Sequence, residues 1–271
     1  YNPYSGDPMT CILAKARLNA YLPAEGADKL LSEYKHGDKV IPYRILAEYK
    51  GPDLLGLKYE QLFPWVKPVR KEGDDIIIDN NGFRVISGDY VTTEDGTGIV
   101  HIAPTFGADD AAVAKAAGIP SLFLINKKGE TRPMVDFTGK YWNIEDLDEE
   151  FVKNCVNVDL YKNHAGDYVK NAYDPKFNPE GKYDEQAANK AEDLNVVLCM
   201  EMKQAGTAFK IEKHVHNYPH CWRTDKPILY YPLDSWFVRT TAARERLMAL
   251  NETIFWKPQA TGSGRFGKWL E

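Results

Sequence analysis

The stretch Gly96-Thr97-Gly98-Ile99-Val100-His101-Ile102-Ala103-Pro104-Thr105-Phe106-Gly107-Ala108-Asp109-Asp110 concentrates the residue types that chemistry needs. A Gly-Thr-Gly turn opens it, and a short apolar strand carries one histidine. Pro104 and Gly107 break the strand, and two carboxylates begin an Ala-rich helix. Strand, turn and acidic helix start together present a few polar groups at one point in space. Either carboxylate can cap the helix by accepting a hydrogen bond from its free N–H groups and offsetting its dipole. One is enough for that, so the other can hold a cationic group such as an α-ammonium. His101 alternates with Val100 and Ile102 and therefore faces the other side of the strand. A strand histidine is commonly a packed, hydrogen-bonded residue, and a proton-transfer role needs a partner that the sequence does not show. Thr97 offers a hydroxyl and a backbone amide in the turn.

Two other sets of residues invite chemistry and are set aside. Thr92-Thr93-Glu94-Asp95 before the glycines lacks the Lys-Ser/Thr ending of a phosphate loop and precedes a strand, not a helix. His214, His216, His220 and Cys221 suggest zinc, but their spacing fits no structural-site pattern and no second ligand pair lies near in sequence. No metal is expected. No Ser-His-Asp or Cys-His set is visible either, which argues against a covalent intermediate.

The elements that must position these groups follow from pattern. Met9–Leu13 leads into an Ala/Leu-bearing helix start. Segments between Tyr43 and Leu62 alternate with Gly51-Pro52 and Gly56, which favours strands joined by turns. Ile76–Ile78 and Phe83–Ile86 flank Asn81-Gly82 and predict a hairpin. A helix over 109–117 closes at Gly118. A second hairpin joins Leu122–Ile125 to Thr131–Val135 around Lys127-Lys128-Gly129. Helical patterns cover 145–157 and 184–204, the latter with Leu194, Val197, Leu198 and Met202 on one face. Lys162–Lys182 is polar and reads as a loop, Phe209–His216 alternates as a strand, and Ser235–Leu250 reads as a final helix exposing Arg239, Arg244 and Arg246. Strands early, helices late and no regular βαβ alternation favour a closed or strongly curved sheet ringed by helices over a doubly wound fold.

Composition sets the bounds. A chain of 271 residues, 44% hydrophobic and 27% charged, is long enough for one large domain or two small ones with a sizeable core. Its longest apolar runs are too short to span a bilayer, and nothing at the N-terminus resembles a signal peptide. Four cysteines without a CxxC pair argue for reduced thiols and a cytoplasmic setting. A net charge of −5 gives no general attraction to nucleic acid, although a short single-stranded end can still be held by local contacts. The start at Tyr1 without methionine and the end at Glu271 read as those of an internal piece of a longer protein.

The opening stretch resembles the GTGxVHxAPxxGxDD signature of the isoleucyl-tRNA synthetase editing domain, an insertion that hydrolyses valine wrongly attached to the isoleucine tRNA. The resemblance continues through Tyr218-Pro219-His220-Cys221-Trp222-Arg223-Thr224-Asp225-Lys226-Pro227, Pro232–Phe237, Trp256-Lys257-Pro258 and Gly262–Glu271, and so covers nearly the whole chain. The valyl and leucyl relatives share a Gly-Thr-Gly strand but place other residues at His101 and at Phe106–Asp110, so His101 with Gly107-x-Asp109-Asp110 carries the isoleucyl assignment.

The resemblance implies an α+β fold with a β-barrel-like core and peripheral helices. It divides the chain into an editing domain over 1–235 and a return segment toward the catalytic core over 236–271. It also implies that Asp110 anchors the substrate ammonium while Asp109 is the cap, and that His101 lines the amino-acid pocket and limits side-chain size. Thr97, Phe106 and Gly107 complete the substrate-binding set, and no residue is assigned as catalytic. The expected reaction is ester hydrolysis by a positioned water, aided by the substrate's ribose hydroxyl. The expected partners are the valine-bearing 3′ end of the isoleucine tRNA and the catalytic core of a synthetase. No cofactor is expected in this domain, ATP and magnesium belonging to the synthetic site. The family's Thr-rich WTTTPWTLPSN peptide, which forms the opposite pocket wall, and its HIGH and KMSKS motifs are absent from the sequence. By itself the chain is therefore expected to deacylate weakly or not at all. The alternatives are a non-catalytic tRNA-binding insertion, an editing domain of the valyl or leucyl relatives, or a free-standing deacylase.

Overall fold

Apolar residues scattered in sequence between Trp65 and Tyr161 meet in one core. The computed structural model describes residues 1–73, 75–213, 217–233 and 235–271. It divides into two units, Tyr1–Pro232 and Leu233–Glu271. In the first unit the elements run α1 (Leu18–Tyr21), α2 (Glu25–Asp28), β1 (Val69–Glu72), β2 (Asp75–Ile78), α3 (Ala108–Ala116), β3 (Phe123–Ile125), β4 (Thr131–Pro133), α4 (Glu149–Cys155), α5 (Val158–Tyr161), α6 (Glu185–Lys190) and α7 (Leu194–Gln204). The second holds α8 (Arg244–Glu252) and α9 (Gly267–Leu270). Among the described residues no helix is long and apolar enough to cross a membrane.

The core joins Trp65, Val66 and Val69 to Leu124 and Ile125 of β3, to Leu147, and to Phe151, Cys155 and Tyr161 of α4 and α5. Backbone bonds lock these segments together. Lys67 N–H donates to the Cys155 carbonyl at 2.8 Å, Asn157 to Trp65 at 2.8 Å, and Asp148 to Ile125 at 2.9 Å. The Asp148 carboxylate caps α4 by accepting from Phe151 N–H at 2.8 Å, so a single residue both starts the helix and ties it to β3. The buried Tyr161 hydroxyl donates to the Trp142 carbonyl at 2.7 Å, and burial pushes its phenol well above the ordinary tyrosine range.

Mixed helix and sheet content is what forms. The expected barrel-like closure does not form among the described residues, whose sheets are two separate antiparallel pairs, β1–β2 and β3–β4. β3–β4 is the expected hairpin, with Phe123 opposite Pro133 and Ile125 opposite Thr131. The other hairpin is a correction. Ile76–Ile78 pairs back with Val69–Lys71, with Gly73 in the left-handed region at the reversal, and not forward with Phe83–Ile86. Phe83 itself adopts φ 52°, and Phe83–Val85 turns to Leu57–Tyr59 through Tyr59 N–H to Phe83 O and Val85 N–H to Leu57 O. Of the strands expected over 43–62 and 99–102, only the Lys58–Arg84 antiparallel bridge forms among the described residues, and Leu46 77%, Tyr49 69% and Val100 50% stay exposed.

Helices are closer to expectation. The predicted 109–117 helix is α3, and its end is a Schellman motif: Gly118 has φ 66°, Ile119 N–H donates to Ala114 O at 2.8 Å, and Gly118 N–H donates to Lys115 O at 3.2 Å. The 184–204 pattern is interrupted at Asp193, whose side chain caps α7 by accepting from Asn195 N–H. Lys162–Lys182 contains short 3-10 turns that bury Ala172 and Phe177. The final helix begins only at α8, and Trp236, Phe237 and Val238 before it are almost fully exposed. For the strand expected over Phe209–His216, His214–His216 lie outside the described residues.

Candidate functional site

The signature is built around the start of α3. Its N-cap is Gly107, in extended backbone, so neither aspartate caps the helix with its side chain. That corrects the role expected of Asp109, which is exposed at the second helical position and acts on the helix only through its charge. Asp110, at the third position, is half-buried and folds back over the preceding turn. Its Oδ2 accepts from Ala103 N–H at 2.9 Å, and its Oδ1 accepts from the Tyr90 hydroxyl at 3.1 Å. Gly107 makes room for this, since a Cβ there would lie 2.9 Å from Asp110 Oδ2. Burial, and then the hydrogen bond to Asp110 and its charge, push the Tyr90 phenol up, so it remains a proton donor to the carboxylate.

Thr97 and Phe106 of the predicted set belong to two further clusters. Thr97 closes a turn on itself: its hydroxyl donates to Ile99 O at 3.0 Å and accepts from Ile99 N–H at 3.3 Å. Its carbonyl accepts from Ala14 N–H at 2.8 Å. Gly98, at φ 76°, lets Ala14 approach so closely that an added Cβ would sit 2.4 Å from the Ala14 methyl. Arg17 completes the clamp by donating to Gly96 O at 2.9 Å and Glu94 O at 3.2 Å. Phe106 joins a different cluster, meeting the Tyr231 ring edge-on at 6.3 Å, while Tyr231 packs on Phe137 and donates to Val135 O at 2.9 Å. His101 is exposed, two residues before the amide that grips Asp110.

Sequence reasoning missed Tyr90, Arg17 and the Ala103 amide. Each contact spans a separation that no local pattern encodes, and Tyr90 stands among ordinary turn residues in Gly88-Asp89-Tyr90-Val91. Chemically, the site offers a carboxylate oriented by one backbone amide and one phenol. That arrangement suits one cationic group. Two cavities lie elsewhere. One of about 660 Å³ is lined by β2 and by Glu150, Phe151, Asn154 and Cys155, and one of about 370 Å³ is lined by Trp256, Thr261, Arg265, Phe266 and Trp269.

Among the described residues no group of three or more His, Cys, Asp or Glu side chains is placed to hold a metal ion. Of the zinc candidates, His214 and His216 lie outside the described residues. His220 donates from Nδ1 to Asp225 O at 2.8 Å, closing a turn. The Cys221 thiol is pulled below its ordinary pKa, first by the Thr224 hydroxyl and then by the Arg223 and Thr224 amides. All four cysteines are free.

No family model matches the chain. Curated relatives do, along its full length. It is 66% identical to the isoleucine–tRNA ligase of Bacteroides thetaiotaomicron and 52% identical to that of Porphyromonas gingivalis, with 100% of the chain aligned in both. It is 38% identical to the isoleucine–tRNA ligase of Clostridium acetobutylicum over 84% of the chain. The chain spans 23%, 22% and 16% of those three proteins. Identity sustained at this level from end to end places the chain, over the segment it covers, in the isoleucine–tRNA ligase family.

Proposed function

We propose that this segment is the editing domain of an isoleucine–tRNA ligase and hydrolyses the ester joining valine to the terminal adenosine of the isoleucine tRNA. A rigid pocket that rejects one methylene gains only about 1–3 kcal/mol, a general limit for which isoleucine against valine in this very family is the established worked example. A ligase of this specificity therefore gains from a second site that admits valine and destroys its ester. One observation carries the reading: Asp110, the second aspartate of the signature, is held by Ala103 N–H and Tyr90 and not by its own helix. A carboxylate oriented in this way can receive the α-ammonium of an aminoacyl ester.

In this reading His101 limits side-chain size, and Thr97, Phe106 and Gly107 shape the pocket around it. The nucleophile is a water positioned near the ester carbonyl with help from the ribose hydroxyl, and positioning supplies much of the rate gain. The domain works without a cofactor of its own, since ATP and magnesium serve amino-acid activation at the synthetic site. Its partners are the charged 3′ end of the tRNA and the catalytic core of the ligase. The barrel-like core belongs to the same proposal, with the unpaired 99–102 stretch as one of its strands, completed by the Thr-rich wall.

The test compares two neighbouring carboxylates in an isoleucine–tRNA ligase that contains this segment. Losing a charge-assisted hydrogen bond of roughly 1.5–3 kcal/mol, Asp110→Ala slows valyl-tRNA deacylation by about tenfold to a hundredfold. Isoleucine activation stays within about twofold, because the residue acts on the ester and not on adenylate formation. Asp109→Ala leaves both rates near wild type. The reverse pattern would move the anchoring role to Asp109 and overturn this reading.

A further inference from the structure

Tyr90 lies outside the signature, yet its hydroxyl is a side-chain partner of Asp110. A tight turn presents it: Val91 N–H donates to Gly88 O at 3.0 Å, and a Cβ at Gly88 would come within 3.4 Å of the Tyr90 ring. Tyr90 is 42% exposed, so the phenol reaches the carboxylate from the open side, while the Ala103 amide holds the opposite oxygen. An ionised carboxylate has about four acceptor positions on its two oxygens. With one on each oxygen occupied, the plane of the group is fixed and the remaining two point in defined directions. An aspartate held only by its own rotamer would not define where an incoming ammonium sits.

On the editing reading above, we infer that Tyr90 is a positioning residue that orients Asp110 for the free α-ammonium of an aminoacyl ester. The consequence concerns substrate class. Esters with a free amino group benefit from Tyr90, and esters whose nitrogen is acylated do not, because no charge meets the carboxylate.

The experiment uses an isoleucine–tRNA ligase containing this segment, as wild type, Tyr90→Phe and Asp110→Asn, with valyl-tRNA and N-acetylvalyl-tRNA as substrates. Phenylalanine keeps the ring and its packing, and an unchanged melting temperature confirms that the variant folds. Tyr90→Phe raises KM for valyl-tRNA by about three- to tenfold with kcat within about twofold, as expected when a bond that only orients a charge is lost. On N-acetylvalyl-tRNA the wild type and Tyr90→Phe are equally slow. Equal losses on both substrates would mean that the phenol serves the fold, and faster deacylation by Tyr90→Phe would mean that it blocks the ammonium position; either result overturns the inference. Slow deacylation by Asp110→Asn beside a wild-type Tyr90→Phe would overturn this inference alone. An Asp110→Asn variant that deacylates normally would overturn the editing reading and this inference with it.

Discussion

Asp110 and Gly107 operate as a pair, since the carboxylate can reach Ala103 N–H only because residue 107 has no side chain. Gly107→Ala places a methyl 2.9 Å from Oδ2, and the carboxylate must move. Valyl-tRNA deacylation then falls by about tenfold or more, since displacement on the order of 1 Å can cost a hundredfold. Melting temperature should drop little, because Gly107 has extended φ and ψ that alanine also adopts; a large drop with normal activity would contradict this pairing. His101 makes a separate prediction. If it limits pocket size, His101→Ala hydrolyses isoleucyl-tRNA while still cleaving valyl-tRNA, whereas a general base would lose both activities. At this scale the sequence was legible where residue type and helix position decide, as with two aspartates following Gly107. It misled on which of them caps, because the cap position fell to Gly107 itself. Tyr90 was invisible because its partner is twenty residues away.

Element positions follow from the core more than from propensity. Helix α4 is short, yet it is fixed at both ends: the Asp148 cap starts it beside β3, and the Cys155 carbonyl receives Lys67 N–H. Phe151 sits between these anchors with no exposed surface, so Phe151→Ala lowers unfolding free energy by about 3–5 kcal/mol. Urea denaturation of the chain checks this, and a loss below about 1 kcal/mol would mean that the core does not depend on this packing. The elements that sequence located well, α3 and the β3–β4 hairpin, carry their stop signals locally in Gly118 and in the Lys127–Gly129 turn. The hairpin expected to turn at Asn81-Gly82 turns instead at Gly73, where Ile78 pairs with Val69 of the core. The stretches 43–62 and 99–102 have strand-like composition, but only Leu57–Tyr59 finds a partner, in Phe83–Val85, and composition alone cannot supply one.

At the scale of the whole molecule, buried phenols make stability depend on pH at the alkaline end. Burial raises the phenols of Tyr141, Tyr161 and Tyr231 above their ordinary value of 10.0, while the unfolded chain titrates near that value. Above pH about 10 the unfolded state therefore binds fewer protons than the folded state, and unfolding free energy falls as pH rises. This contribution is fully present below pH 10, so melting temperature declines between about pH 10 and 12 and Tyr161→Phe reduces the slope; a slope unchanged in that variant would contradict the assignment. Family membership was legible over the entire length because the signature and the later Tyr218–Pro227 and Gly262–Glu271 segments agree. Whether the segment edits rests on one comparison of rates. In an isoleucine–tRNA ligase containing it, valyl-tRNA and isoleucyl-tRNA deacylation are measured side by side, with and without Asp110→Ala. Valyl-tRNA should be hydrolysed at least about tenfold faster than isoleucyl-tRNA, and Asp110→Ala should slow valyl-tRNA hydrolysis by about tenfold to a hundredfold. Equal hydrolysis of the two esters by the wild type, or valyl-tRNA hydrolysis that Asp110→Ala leaves unchanged, would contradict the editing role.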